Sequence, residues 1–169
     1  MLKSELSEII LLQNKNLKKK GLIERDTFKY LESQIKNKFI IIISGIRRSG
    51  KSTLLLQLRE KYQGYYINFD DERLARFSVD DFQLLYECFL ELYGEKGLFY
   101  FDEIQNVSGW ERFARRLHNE GKKLFVTGSN ASMLSRELGT HLTGRHIMVN
   151  VFPFSFSEFS LFSNTIPLF

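Results

Sequence analysis

The chain has 169 residues, a length typical of one α/β domain, with 43% hydrophobic and 26% charged residues. Its net charge of +4 is too small to argue for nucleic-acid binding, and its single cysteine, Cys88, excludes an internal disulfide. Lys3, Glu5 and Glu8 precede any apolar stretch, so no signal peptide is predicted. The aliphatic run Phe39–Ile43 is too short to cross a bilayer. We therefore expect a cytoplasmic protein that makes no membrane contact.

Residues 1–24 are predicted to form an N-terminal extension. Leu6, Ile9 and Ile10 have helical spacing, and the basic run Lys18–Lys20 follows. We interpret this segment as a solvated, partly frayed terminus, and a partner-contacting arm is the alternative.

Strand and helix patterns alternate through the predicted core domain, residues 25–152. Asp26 is predicted to cap a first helix, and Ser108 with Glu111 matches a capping box for a later one that ends near Asn119. The predicted strands are Phe39–Ser44, Tyr65–Phe69, Leu98–Phe101, Leu124–Thr127 and His146–Phe152. The other predicted helices are Lys51–Tyr62, Val79–Tyr93 and Ala131–Leu138. This alternation predicts an α/β fold with a parallel sheet and right-handed crossovers.

An aromatic-rich segment, residues 153–169, ends the chain. The run Phe152–Phe162 carries aromatic side chains that need a covering surface. We expect this segment to begin a lid or a further domain.

A glycine-rich loop between the first predicted strand and the next helix matches the pattern GxxxxGK[ST]. Its backbone N–H groups and the helix N-terminus favour a phosphate group, Lys51 is expected to reach the β/γ oxygens, and the Ser52 hydroxyl is expected to bind Mg²⁺. Arg47 and Arg48 either add charge near the phosphates or point outward. The predicted nucleotide-binding residues are Gly45, Ile46, Arg47, Arg48, Ser49, Gly50, Lys51, Ser52 and Thr53.

Two carboxylates, Asp102 and Glu103, follow an apolar strand, which is the Walker B arrangement. Asp102 is predicted to hold Mg²⁺ through its water shell, and Glu103 to act as the base for the attacking water. The adjacent glutamate favours an ATPase over a Ras-like GTPase, whose DxxG and NKxD motifs are absent from the sequence.

Two further groups are weaker candidates. Ser129 and Asn130 follow another buried strand and are predicted either to sense the γ-phosphate or to cap the next helix. Arg145 precedes the last strand and is either an arginine finger for a neighbouring subunit, which implies self-association, or a partner of a surface carboxylate.

The motifs GIRRSGKST, YINFDDERL, FDEIQNVSGWERFARRL, LFVTGSNASML, LTGR and FPFSFSEF resemble a group of prokaryotic AAA+ ATPases related to the archaeal ATPases, from about Arg25 to Phe159. The resemblance implies a three-layer αβα P-loop fold with a five-stranded parallel sheet of order 5-1-4-3-2. It also implies Asp102 and Glu103 as Walker B, Ser129 and Asn130 as the sensor region, and Arg145 as the finger. Such proteins are more than twice this length and carry a helical lid.

The sequence therefore predicts an ATPase that uses ATP/ADP and Mg²⁺, with Lys51, Glu103, Asn130 and Arg145 as catalytic candidates. The alternatives are a nucleotide-gated binding module with little turnover and a DNA-associated ATPase. A protein or DNA partner stays open.

Overall fold

The computed structural model describes residues 1–15, 17, 25–129, 142–156 and 158. Their α-helices are α1 (Lys3–Lys15), α2 (Asp26–Ser33), α3 (Lys51–Lys61), α4 (Phe82–Tyr93) and α5 (Trp110–Asn119). Their strands are β1 (Ile40–Ser44), β2 (Tyr65–Asn68), β3 (Leu98–Asp102), β4 (Lys123–Gly128) and β5 (His146–Asn150). The predicted helix Ala131–Leu138 lies outside the described residues. None of the described helices combines the length and apolarity that a bilayer crossing requires.

The five strands form one parallel sheet of order β2-β3-β4-β1-β5. This is the predicted order, 5-1-4-3-2, read from the other edge, so the predicted fold class is confirmed. The register pairs Ile43 of β1 with Thr127 of β4. Since all strands run the same way, the segments that follow β1, β3 and β4 meet at one edge of the sheet.

Helices cover both faces of the sheet, which explains why every residue of β1 is buried. One apolar cluster includes Leu6 of α1, Phe82 of α4 and Trp110 of α5. The other includes Leu31 of α2 and Leu54 of α3. The described chain is therefore a three-layer αβα sandwich with a core on each side.

The first helix, α1, contradicts the prediction of a solvated terminus. Its apolar stripe, Leu6, Ile9 and Ile10, is buried against the sheet face that also carries α4 and α5. The spacing of these residues gave the helix correctly. The basic run that follows indicated a solvated terminus, whereas the apolar stripe decides where the helix packs.

The same helix also covers the edge strand β2. The side-chain amide of Gln13 accepts a hydrogen bond from the Asn68 N–H at 2.8 Å and donates one to the Asn68 carbonyl at 3.0 Å. The Asn14 side chain donates to the carbonyl of Tyr66 at 3.2 Å. These side chains satisfy backbone groups that an edge strand leaves open.

Helix starts differ from the predicted ones in three places. Gly109, with φ of 82°, is the N-cap of α5, so Ser108 lies one residue too early for the predicted capping box with Glu111. Arg25 is the N-cap of α2, and Asp26 is its first helical residue rather than its cap. The predicted helix Val79–Tyr93 begins as a 3-10 turn, Val79–Asp81, before α4.

Candidate functional site

The glycine-rich loop joins β1 to α3 at the carboxyl edge of the sheet, where the sequence places it. Gly50 is the N-cap of α3 and has φ of 96°, a left-handed conformation that favours glycine. A Cβ on Gly45 would lie 2.2 Å from the backbone oxygen of Val151, which follows β5. Both glycines of the motif are therefore required by this backbone path.

The ammonium group of Lys51 lies within the loop and is almost fully buried. It donates hydrogen bonds to the carbonyls of Gly45 and Ile46, each at 3.1 Å, and lies 3.7 Å from Oε1 of Glu103. Among the described residues, Glu103 is the one carboxylate paired with the Lys51 ammonium, and the two carbonyls supply its hydrogen bonds. An anionic group at the loop would find this charge already in place.

The other loop residues divide between solvent and interior. Ile46, Arg47 and Arg48 are exposed, and Arg48 has φ of 66°. This exposure agrees with the predicted alternative in which Arg47 and Arg48 point outward. Ser49 is buried, and its hydroxyl has no hydrogen-bond partner among the described residues. Ser52 and Thr53 follow Lys51 in the first turn of α3, where N–H groups lack intrahelical partners.

Asp102, at the end of β3, is only 1% exposed and lies beside the loop. Its Oδ1 accepts hydrogen bonds from the hydroxyls of Ser52, at 3.0 Å, and Thr127, and its Oδ2 accepts one from Tyr66 at 3.2 Å. Burial raises the pKa of Asp102, and the charge of Glu103 raises it further, while the three hydroxyl hydrogen bonds oppose these effects. The predicted metal ligands Ser52 and Asp102 are thus in direct contact.

This donor set fits Mg²⁺. Mg²⁺ prefers oxygen ligands and is usually held by one or two carboxylates together with waters and substrate phosphates. Within the described ranges, no group of three or more histidine, cysteine, aspartate or glutamate side chains could hold a metal ion. A site built from Asp102, Ser52 and phosphate oxygens needs no such group.

Glu103 adopts a left-handed backbone conformation, with φ of 51°. Its N–H donates to the Thr127 hydroxyl at 2.8 Å, and its Oε2 accepts a hydrogen bond from the Gln105 amide at 2.7 Å. The same amide nitrogen lies 3.4 Å from the Ser129 hydroxyl at the end of β4. A backbone strained at this position and held from two sides fixes the direction of the carboxylate.

Sequence reasoning missed three residues of this network: Tyr66, Gln105 and Thr127. The hydroxyl of Thr127 bridges both acidic residues, because it donates to Asp102 and accepts from the Glu103 N–H. A polar residue within the apolar run of β4 was the available signal. For Tyr66 and Gln105 no pattern in the sequence pointed to their partners.

The remaining candidates lie apart from this network or beyond the described residues. Asn130 lies outside the described residues. Arg145 is exposed and precedes β5, whose first residue, His146, pairs with Ile40 at the start of β1. The whole length of β1, about 15 Å, therefore separates Arg145 from the glycine-rich loop of the same chain. A role in the site of the same chain is excluded by this placement, and a role in a neighbouring subunit is compatible with it.

Comparison with known proteins matches residues 37–160 to the model of a family described as "AAA domain". An uncharacterized protein of Methanocaldococcus jannaschii is 39% identical over 167 residues, which are 96% of this chain and 36% of that relative. An uncharacterized protein of Haemophilus influenzae is 40% identical over 153 residues, which are 83% of this chain and 38% of the relative. The chain thus spans little more than a third of the length of these relatives.

Among solved structures, the AMPPCP-bound DnaA of Aquifex aeolicus is similar to the chain with a TM-score of 0.55 and 17% sequence identity. The likeness covers 85% of this chain and 51% of that one. At this identity the likeness bears on the fold, and it agrees with the three-layer architecture described above.

Proposed function

The chain belongs to the AAA domain family, a nucleotide-binding ATPase-type domain, and we propose that it binds ATP with Mg²⁺ and hydrolyses it. The observation that carries the proposal is the contact between Ser52 and Asp102, 50 residues apart. The residue after Asp102, Glu103, lies 3.7 Å from the Lys51 ammonium. Oxygen ligands suited to Mg²⁺ and a cation suited to phosphate oxygens thus lie together at the carboxyl ends of the strands, which supports the proposal.

In the proposed reaction each residue of the loop and of the sheet edge has a distinct part. Backbone N–H groups of the loop and of the first turn of α3 hold the β-phosphate, and Lys51 leaves its carbonyl partners to bind the β/γ oxygens. Ser52 and Asp102 hold Mg²⁺, which supplies Lewis-acid stabilisation of the phosphate charge when bound.

Glu103 is proposed as the general base. Its carboxylate takes a proton from the attacking water as the water oxygen bonds to the γ-phosphorus and the β–γ bridging P–O bond breaks, which releases ADP and phosphate. Gln105 and Thr127 hold Glu103 in position. Ser129, which contacts Gln105, stays a proposed sensor of the γ-phosphate.

Calorimetry with Mg·ATP and Mg·ADP, together with phosphate release in the same samples, tests this proposal. Lys51→Ala should abolish binding, and Lys29→Ala, which changes an exposed lysine of α2, should leave it unchanged. Glu103→Gln should retain binding and lose at least about 100-fold in turnover, a typical contribution of a general base. The matched control is Glu120→Gln, at the exposed end of α5. Equal affinity of wild type and Lys51→Ala for Mg·ATP would contradict the proposal.

A nucleotide-gated binding module is the second candidate. The observation that favours it is the exposure of the aromatic segment after β5, where Phe152 is 74% and Phe156 is 86% exposed. Nucleotide binding without any phosphate release, in wild type and in Glu103→Gln alike, would favour this candidate over the enzyme.

A further inference from the structure

Arg25, just before α2, is a buried cation that touches the phosphate loop from outside. Its side chain is 6% exposed, and its Nη1 donates to the carbonyl of Ser49 at 2.8 Å. A Cβ on Gly50 would lie 2.8 Å from the same nitrogen. The guanidinium therefore packs directly against the turn that precedes Lys51.

The other donors of Arg25 hold the segment that follows β5. Nη2 donates to the carbonyl of Phe152, and Nε donates to Oε1 of Glu158, each at 2.7 Å. The guanidinium carbon lies 4.7 Å from the centre of the Phe154 ring. Because the guanidinium is a rigid planar fork, these bonds place the loop and the segment in a fixed relation.

Glu158 is the counter-ion that completes this arrangement. It is as buried as Arg25, and besides the ion pair it accepts the N–H groups of Asp26, at 3.1 Å, and Ser155, at 2.8 Å. Burial by itself would raise the pKa of Glu158, but the hydrogen bonds from Arg25, Ser155 and Asp26 outweigh burial and hold the pKa at about 2. The carboxylate is therefore charged at neutral pH, and its loss would leave Arg25 buried without its counter-ion.

We propose that Arg25 is a positioning residue of the phosphate loop, and that the Arg25–Glu158 pair couples nucleotide binding to the position of the segment that follows β5, residues 152–156 and 158. This inference rests on the proposed function. A nucleotide fixes the loop that carries the Ser49 carbonyl, and that carbonyl fixes the guanidinium that holds the segment. Coupling of two sites is reciprocal, so the segment must in turn change nucleotide affinity.

The backbone amides of Asp26 and Ser155 report on this coupling, because both donate to Glu158. Hydrogen exchange of the wild-type chain is measured with and without saturating Mg·ADP. We expect exchange at these two amides to slow at least about fivefold, the lower end of typical coupling. In Glu158→Gln, nucleotide should not change exchange at these amides, and the Kd for Mg·ADP should rise by at least about fivefold.

Two further variants keep the test decisive. Arg25→Lys cannot reach three acceptors at once, so it should weaken binding. Because it keeps a cation opposite Glu158, the loss should be smaller than in Glu158→Gln. Glu95 and Lys122 form a surface ion pair at the amino ends of β3 and β4, at the opposite end of the strands from the loop. Glu95→Gln should therefore match wild type in both measurements. If Glu158→Gln does not fold, wild-type exchange and Arg25→Lys decide alone.

The outcomes separate the coupling from the proposed function. If wild type binds Mg·ADP and exchange at the two amides is unchanged, the coupling is overturned while nucleotide binding stands. Equal affinity of wild type, Glu158→Gln and Arg25→Lys overturns it as well. If wild type binds no nucleotide, the proposed function fails and the coupling fails with it.

Discussion

Thr127→Val tests the bridge between the two acidic residues of the site. Valine has nearly the same shape as threonine, so the change removes the hydroxyl and leaves the packing of β4 in place. Thr127 is fully buried, and its hydroxyl is donor to Asp102 and acceptor for the Glu103 N–H. Valine offers neither a donor nor an acceptor at this position, so both partners lose this bond.

The expected cost follows from these two bonds. A buried group left without its hydrogen bond costs about 1–3 kcal/mol, and a bond to a charged group lies toward the upper end of that range. Because one hydroxyl serves both partners and their losses are not additive, we expect the free energy of unfolding to fall by about 2–4 kcal/mol. Thr127→Ser keeps the hydroxyl and loses one methyl, which costs about 1 kcal/mol.

Urea unfolding measures this cost, with the fluorescence of Trp110 as the signal, since it is the single tryptophan and is fully buried. Phosphate release and Mg·ATP affinity, measured in parallel, should show a larger loss of turnover than of binding in Thr127→Val, because Glu103 loses its anchor. Stability of Thr127→Val equal to that of Thr127→Ser, or above it, would refute the reasoning.

Three other predictions follow from single positions. Gly45→Ala should abolish Mg·ADP binding in calorimetry and cost about 1–3 kcal/mol in urea unfolding, because its Cβ would meet a backbone oxygen. Gly97→Ala, with nothing within 4 Å of its Cβ, is the control, and equal behaviour of the two would contradict this. Burial lowers the pKa of Lys123 from 10.5 to about 8, so the unfolded chain binds the extra proton between these values and this group should make stability rise as the pH rises through this range. The urea midpoint of wild type minus that of Lys123→Met should increase over that range. A constant or falling difference would show that burial does not lower the pKa of Lys123. For Arg145→Ala, turnover per chain should lose its dependence on protein concentration while the affinity for ATP stays unchanged, and a dependence equal to that of wild type would exclude the finger.

The place of the glycine-rich loop and of the acidic pair in the fold could be predicted from the sequence because both patterns are local. A buried strand, a glycine turn and a helix start are consecutive in the chain, and the mechanism requires them to be so. The meeting of Ser52 with Asp102 followed once the strands were taken as parallel, because their carboxyl ends then share one edge.

Contacts between distant parts of the chain were not predictable in this way. Arg25 and Glu158 are 133 residues apart, and each reads as an ordinary surface residue in its own segment. The N-cap of α5 was missed for a local reason. A left-handed Gly109 and a serine-led capping box are competing ways to start a helix, and the sequence contains both signals side by side.

The amide pairing of Gln13 with β2 has a consequence for how the molecule behaves among its own copies. An open strand edge is a template on which another chain can add a strand, and long apolar edges of this kind lead to aggregation. With Asn14 and the buried stripe of α1, Gln13 closes that template from within the chain. A chain that loses its first fifteen residues would therefore expose the edge of β2 beside uncovered apolar side chains. Such a chain should self-associate into insoluble material.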